Sequence, residues 1–430
     1  MQAQGKISFW VAVLMSINII VGGGIFAGPQ SMAAVAGGFS SIAWLLMAIV
    51  MFPVVWGIAQ ASRMFPGAGG FYNYCATGIN KDFGFLAQWI YLLGYTFGTC
   101  AAMTTLVRLK LGGDMGINFV TQHPFVANAL ILALFSLLNL LSISVVSRMQ
   151  GGATLLKLFP LFVVIVSFVW YWNPSITYTA HDFFNLGGTI PYVVFGFLGF
   201  EACCSLGHML EDGPKSVGKV MLTAFFITAA LYTLFNFGLL QILGVNHLAE
   251  YGVVSFPLAM GLPSMLARIL SISIIGAVLL SYANSVFGVT LGNVTNIVTL
   301  AQKKLIGGQD WLTQTNKIGR PTVAALIHGV AVWAFLCFIG DVDTLFSFTV
   351  MGVGSAYFLT LVAVLMASLK RKDYVQAAIM VLGFASCAVL FYSCWMGLGF
   401  DVMDRLVKIS PLIIGTVLGF VMYKMQKARA

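Results

Sequence analysis

The sequence predicts an all-α integral membrane protein of twelve spans. Two five-helix units are related by inversion, the first and sixth spans are broken, and two further helices are appended. Three observations carry this expectation. The 430 residues are 60% hydrophobic and 8% charged, with mean hydropathy +0.95, whereas a soluble domain carries about 25% charged residues. Lysine and arginine segregate to one side of the predicted membrane. Two glycine-rich interruptions, Val21-Gly22-Gly23-Gly24 and Phe195-Gly196-Phe197-Leu198-Gly199, sit inside the apolar runs 9–34 and 190–210.

The apolar runs, taken in order, are 8–34, 40–64, 83–107, 124–146, 151–173, 189–210, 218–244, 262–300, 322–340, 343–369, 374–397 and 407–424. Most match the ~20 residues that cross a bilayer. The eighth is too long for one crossing and is expected to continue past the membrane or into a short extra helix near Leu305. With the N-terminus in the cytoplasm, sixteen Lys and Arg residues fall on the cytoplasmic side. Five (Arg108, Lys110, Arg268, Arg405, Lys408) fall outside. That asymmetry places both termini inside. Span one then starts inside and span six outside, which relates the units by inversion. The expected divisions are 1–180, 181–370 and 371–430. The first apolar run leads into the glycine interruption rather than a signal cleavage site. The net charge of +9 reads as cytoplasmic-face lysine and arginine rather than a nucleic-acid surface. The seven cysteines contain no C-x-x-C pair and read as small buried hydrophobes. No cofactor and no metal are expected.

Unwound backbone in a membrane helix persists only where protein or a water-lined cavity satisfies its polar groups. Paired interruptions at corresponding positions point to a transporter's binding site. The absence of Cβ at Gly22, Gly23 and Gly24 permits close ligand approach and unusual dihedrals. A half-helix beginning near Ile25 aims N–H groups and its positive end at the break, which suits a carboxylate. The carbonyls near Ile20 and Val21, and those of Phe195 and Gly196, suit an ammonium group. Donors on one side and acceptors on the other would read the backbone of an α-amino acid. The competing reading is glycine used only for close helix packing; two interruptions at inverted positions favour a ligand. Phe195 and Phe197 flank the second break, where an aromatic ring can close over a pocket.

Two charged side chains lie well inside the spans, Lys157 and Glu201. Charges in hydrocarbon are rare and mark function. Lys157 can snorkel to the interface, exchange a proton, or hold a fixed positive charge where a cation would otherwise bind. Glu201 can pair structurally or act as a protonatable switch. His208 follows on the same face and reads as an interface histidine rather than a relay.

These residues resemble the amino acid–polyamine–organocation transporter superfamily over nearly the whole chain. Gly22-Gly23-Gly24-Ile25-Phe26 resembles its first-helix motif and Pro66–Tyr72 its loop after the second helix. Phe195–Glu201 resembles its sixth-helix motif, and Asn316–Pro321 the loop before helix nine. The resemblance implies a LeuT-like fold, alternating access, and amino acids or their decarboxylated amines as substrates. It implies that Gly22, Gly23 and Gly24 hold a carboxylate, that Phe195 occludes the substrate, and that Lys157 occupies the helix-five lysine position of proton-coupled members. The chain departs from the family at Glu211–Lys215, which lacks the N-P-x-R pattern. Its helix-eight stretch Asn284–Leu291 has no tryptophan, unlike arginine/agmatine exchangers. Polyamines need several carboxylates, and Glu201 stands alone. A zwitterionic amino acid with an apolar or small polar side chain fits best, with Trp89, Tyr95 and Cys100 as candidates for the side-chain pocket.

The leading expectation is an amino acid permease of the plasma (bacterial inner) membrane, driven by protons. An amino acid/amine antiporter is the alternative. A membrane enzyme would need clustered His, Asp, Glu or Cys, and a channel would need a polar stripe or charged ring. A sensor would need an output domain.

Overall fold

The computed structural model describes residues 8–66, 69–171, 176–201, 210–211 and 216–429. Among them the regular elements are helical, with isolated bridge residues at Leu210 and at Thr315 and Pro321. In chain order they are α1 Phe9–Ile20, α2 Gly24–Ala36, α3 Ser40–Met64, α4 Gly70–Gly78, α5 Lys81–Thr104, α6 Asn118–Gln122, α7 Pro124–Asn139, α8 Ile143–Ser167, α9 Ala180–Phe184 and α10 Ile190–Phe197. There follow α11 Val217–Leu243, α12 Val245–Tyr251, α13 Phe256–Ala259, α14 Ser264–Gln302, α15 Gln309–Leu312, α16 Thr322–Phe338, α17 Val342–Lys370, α18 Tyr374–Gly397 and α19 Val402–Arg429. Seven runs among the described residues are long and apolar enough to cross a membrane, counting Gly24–Met64 as one. Four shorter apolar helices accompany them. The protein is thus a multi-pass membrane protein.

Outward-facing Leu155, Leu156, Phe159 and Phe162 on α8 are at least half exposed, whereas Lys157, Leu161 and Val164 are fully buried. Large apolar side chains turned outward with polar groups turned inward suit a lipid surround. Polar groups and glycines add close contacts within an interior that is mostly apolar. The α5–α17 crossing shows this. A Cβ at Gly94 would stand 2.7 Å from the Val353 nitrogen, and one at Gly352 would stand 2.6 Å from Gly94 Cα. Without side chains between them, these backbones meet directly.

Several boundaries differ from the hydropathy runs, the start of α8 at Ile143 rather than 151 among them, while the eighth run continues as expected. The fourth run is expected to continue to 146, but α7 ends at Asn139. Arg320 Nε donates to Asn139 O and Asn316 Nδ2 to Leu140 O, each at 3.0 Å. Side chains about 180 residues away satisfy the last carbonyls, a stop signal that local sequence does not carry. The third run continues beyond α5 as a widened π-helical stretch, Thr105–Asp114. The long eighth run is one 39-residue helix, α14. It turns at Lys304, whose φ is +57°, before the short α15.

Candidate functional site

The first break is a tight turn. Val21 has φ −71° and ψ 78°, and the Gly22 N–H donates to Ile20 O at 2.7 Å, an inverse γ-turn. In a continuing helix that N–H would have gone to Asn18 O. The turn therefore strips Asn18 O of its helical donor and rotates Val21 O out of register. Lys157 on α8 fills both vacancies. Its Nζ donates to Asn18 O at 2.5 Å and Val21 O at 2.6 Å. The lysine is 0% exposed, so it does not snorkel. It places an ammonium at the negative end of the α1 dipole.

The neighbouring carbonyl, Ile20 O, accepts from Tyr232 Oη at 2.9 Å. The expectation that Ile20 and Val21 carbonyls receive a substrate ammonium thus meets an occupied surface: the ammonium at this end is the protein's own. Asn18 also accepts a hydrogen bond on its side-chain oxygen from Asn284 Nδ2 at 3.4 Å, linking the break to α14.

The second break begins later than the motif suggests. Phe195 and Gly196 remain in the last turn of α10, and the chain departs from helix at Leu198 (φ −58°, ψ 145°). Gly199 has φ +103°, a conformation that favours glycine. The two breaks touch. A Cβ on Gly24 would stand 3.0 Å from Gly196 Cα, and one on Gly199 would stand 2.9 Å from Ile19 Cγ2. On its other side Gly196 abuts the fully buried Trp44 ring.

Between the broken ends lies a cavity of about 60 Å³. Of the residues singled out from sequence, Ile20, Gly22, Gly23, Gly24, Phe195, Leu198, Gly199 and Tyr95 line it. Ile19 of α1, Gly98 and Ala102 of α5, Asn284, Ser285, Gly288 and Val289 of α14, and Thr349 of α17 complete the walls. The first turn of α2 supplies the N–H groups that a helix start leaves without helical partners. Phe195 packs its ring on Phe346, with centroids 4.0 Å apart.

Beside the cavity, Glu201 is 1% exposed. Its Oε1 accepts from Tyr95 Oη at 2.5 Å and Tyr91 Oη at 3.1 Å, and its Oε2 accepts from the Gly199 N–H at 3.2 Å. The carboxyl group thus joins the second break to α5. His208 lies outside the described residues, as do Cys203 and Cys204. The other five cysteines are free.

Trp89 and Cys100 stand away from the cavity. Tyr95, Gly98 and Ala102 share one helical face at i, i+3 and i+7. At 100° per residue, Trp89 and Cys100 lie about 120° and 140° around the helix from Tyr95. Trp89 Nε1 donates to Gly415 O of α19 at 3.0 Å. Cys100 Sγ donates to Val332 O of α16 at 3.6 Å. Ser285 and Thr349 carry only a weak sequence signal, since small polar residues in apolar helices mark interior faces in general. Tyr232 left no local signal, being one aromatic among many.

The family model for amino acid permeases matches residues 7–423. The chain belongs to the amino acid permease family. The permease is similar to a serine/threonine exchanger, SteT, of Bacillus subtilis (strain 168), at 23% identity over 86% of this chain and 85% of that protein. It is also similar to arginine/agmatine antiporters of Chlamydia caviae, at 28% identity over 56% of this chain, and of Chlamydia pneumoniae, at 26% over 52%. The match covers about half of each of these two relatives, 52% and 49%. These relatives are transporters rather than enzymes, and the membrane-spanning helices agree with transport.

Proposed function

We propose that this permease carries a small zwitterionic amino acid across the bacterial inner membrane by alternating access. The observation that carries the reading is the small cavity walled by both helix breaks. The substrate carboxylate meets the N–H groups at the start of α2, around Gly22, Gly23 and Gly24. Since the α1 carbonyls are engaged, its ammonium turns to the last turn of α10, to the carbonyls of Gly196 and of Phe195, the latter taking only a long 3.3 Å bond from the Leu198 N–H. Phe195 closes over it. A cavity of about 60 Å³ holds roughly four to six waters, at 10–15 Å³ each. That volume fits a side chain of one or two heavy atoms better than a guanidinium. The Ser285 and Thr349 hydroxyls line the wall where such a side chain would sit.

The architecture in this reading is LeuT-like: inverted repeats 1–180 and 181–370, then 371–430, both termini cytoplasmic. Lys157 holds the first break and Glu201 the second, so a proton gained or lost at either would bias the two ends differently. Proton coupling is the leading drive. Obligate exchange is the second reading, favoured by the relatives' names. Both are tested together. Purified protein is screened by thermal shift against amino acids and amines, since a ligand of the folded state raises its stability. Proteoliposome uptake is then measured with a pH gradient, a sodium gradient, or unlabelled internal substrate. Small zwitterions are expected to stabilise the protein, and a pH gradient to drive uptake. Uptake that follows sodium and ignores pH contradicts proton coupling. Uptake that stalls without internal substrate establishes exchange.

A further inference from the structure

His328 of α16 is a titratable group that the transport site does not use. It is 2% exposed and is tied into a buried knot joining three helices. Asn293 Nδ2 on α14 lies 3.0 Å from His328 Nε2, 3.3 Å from Leu92 O and 3.4 Å from Thr96 Oγ1, the last two on α5. The Thr96 hydroxyl donates to Leu92 O at 2.8 Å. A carbonyl only accepts, so the amide atom facing Leu92 is the NH₂ group. That same nitrogen faces His328, so in this ring orientation the imidazole accepts through Nε2 and carries its proton on Nδ1, which is buried without a hydrogen-bond partner among the described residues. The geometry is thus specific to a neutral ring. A second proton would set N–H against N–H at that contact. Rotating the Asn293 amide to accept it would turn its oxygen toward Leu92 O. Either response breaks the knot.

The knot lies next to the cavity. Thr96 follows Tyr95 on α5, and Asn293 is one helical turn beyond Val289 on α14; Tyr95 and Val289 both line the cavity. In the proposed topology this is the cytoplasmic side. Among the described residues, the titratable groups on the elements packed against α16 turn elsewhere. Among the elements packed on α16, α7 carries no charged side chain. On α5, Tyr91 and Tyr95 turn to Glu201, and Cys100 to Val332 O. On α5 also, Asp82 is paired with α19 and Lys81 sits at the helix start. On α14, Tyr282 lies against Gly23 and Arg268 near the far end. Asp310 is on the short α15, and Arg320 is bonded to Asn139 O.

We infer that His328 is a proton-operated lock on the inner side of the cavity: the neutral ring ties α14 to α5, and protonation from the cytoplasmic side frees them. This rests on the transport reading, and binding is measured separately so that the two fail separately. Exchange is followed in proteoliposomes at fixed external pH, with internal pH stepped from about 8 down to about 4, past the interval where a free imidazole titrates, because the ring is buried away from water. The wild type is expected to speed up as the interior is acidified. His328→Gln, whose amide oxygen accepts from Asn293 at any pH, is expected to bind substrate as the wild type does and to show a flat, slow profile. Asn293→Asp presents a carboxylate that cannot donate to Leu92 O at any pH, and it is expected to show a flat, fast profile. A His328→Gln protein with the wild-type pH profile overturns the lock. Where that variant does not fold, an Asn293→Asp protein with an unchanged slope does the same. Loss of substrate stabilisation in the wild type counts against the transport reading instead.

Discussion

Replacing Lys157 with Met keeps most of the buried stem and removes only the donors that hold the first break. Asn18 O and Val21 O then lose the partner recorded for each at 2.5 and 2.6 Å, because the Gly22 N–H is committed to Ile20 O. A buried acceptor left unsatisfied costs about 1–3 kcal/mol, so two cost about 2–6 kcal/mol. Removing the buried ammonium returns part of its desolvation penalty, which places the expected loss near the lower end, about 2–3 kcal/mol. The measurement is thermal unfolding in detergent, comparing wild type, Lys157→Met and Lys157→Arg without substrate. Lys157→Met is expected to unfold at a clearly lower temperature and to lose counterflow transport. Lys157→Arg keeps donors but must fit a planar fork into a space shaped for an ammonium, and is expected to fall between. A Lys157→Met protein as stable as the wild type refutes the reasoning: the carbonyls would then not depend on the lysine.

Three further outcomes follow from the geometry. Gly199→Ala places a Cβ 2.9 Å from Ile19 at φ +103° and should cost about 1–3 kcal/mol, read as a lower unfolding temperature and weaker substrate stabilisation. Tyr95→Phe removes the 2.5 Å donor to Glu201; a loss of about 1–3 kcal/mol and altered transport are expected, and unchanged behaviour in both assays would deny the pairing any role. Asp82→Asn weakens the surface cluster in which Asp82 meets Lys427 at 3.1 Å and Tyr423 at 2.8 Å. At roughly a third exposed, its effect should stay within about 1 kcal/mol and shrink in high salt, which thermal unfolding at two ionic strengths checks.

Both helix breaks were legible because their signal is local: glycine within an apolar run. So was the burial of Lys157 and Glu201, because charges stand out against hydrocarbon-like sequence. What the lysine grips was not legible, since it depends on a γ-turn that turns Gly22 N–H away from Asn18 O. The end of α7 was misplaced because Arg320 and Asn316 cap it from far along the chain. Trp89 and Cys100 were set in the pocket by residue type alone; helical phase relative to Tyr95 separates them from it, and the face is fixed by which neighbours α5 packs against. Ser285 and Thr349 carried a weak signal, small and polar in apolar helices, that becomes specific only when α14 and α17 meet α5. The second break was placed a turn early, because Phe195-Gly196 reads as an interruption while Trp44 packs against that glycine within an intact turn.

The proposal seats the substrate in the cavity between the broken ends, and filling that cavity is the most direct test. Ser285 is a partly buried wall residue facing Gly22, so Ser285→Leu directs extra carbon into the space without removing a core side chain. Thermal unfolding of the wild type and Ser285→Leu is measured with and without the amino acid that best stabilises the wild type. The prediction is a ligand-free protein that still unfolds cooperatively, destabilised by no more than the cost of overpacking, about 1–3 kcal/mol, and a ligand-induced shift that disappears. A full ligand-induced shift in Ser285→Leu would place the substrate elsewhere.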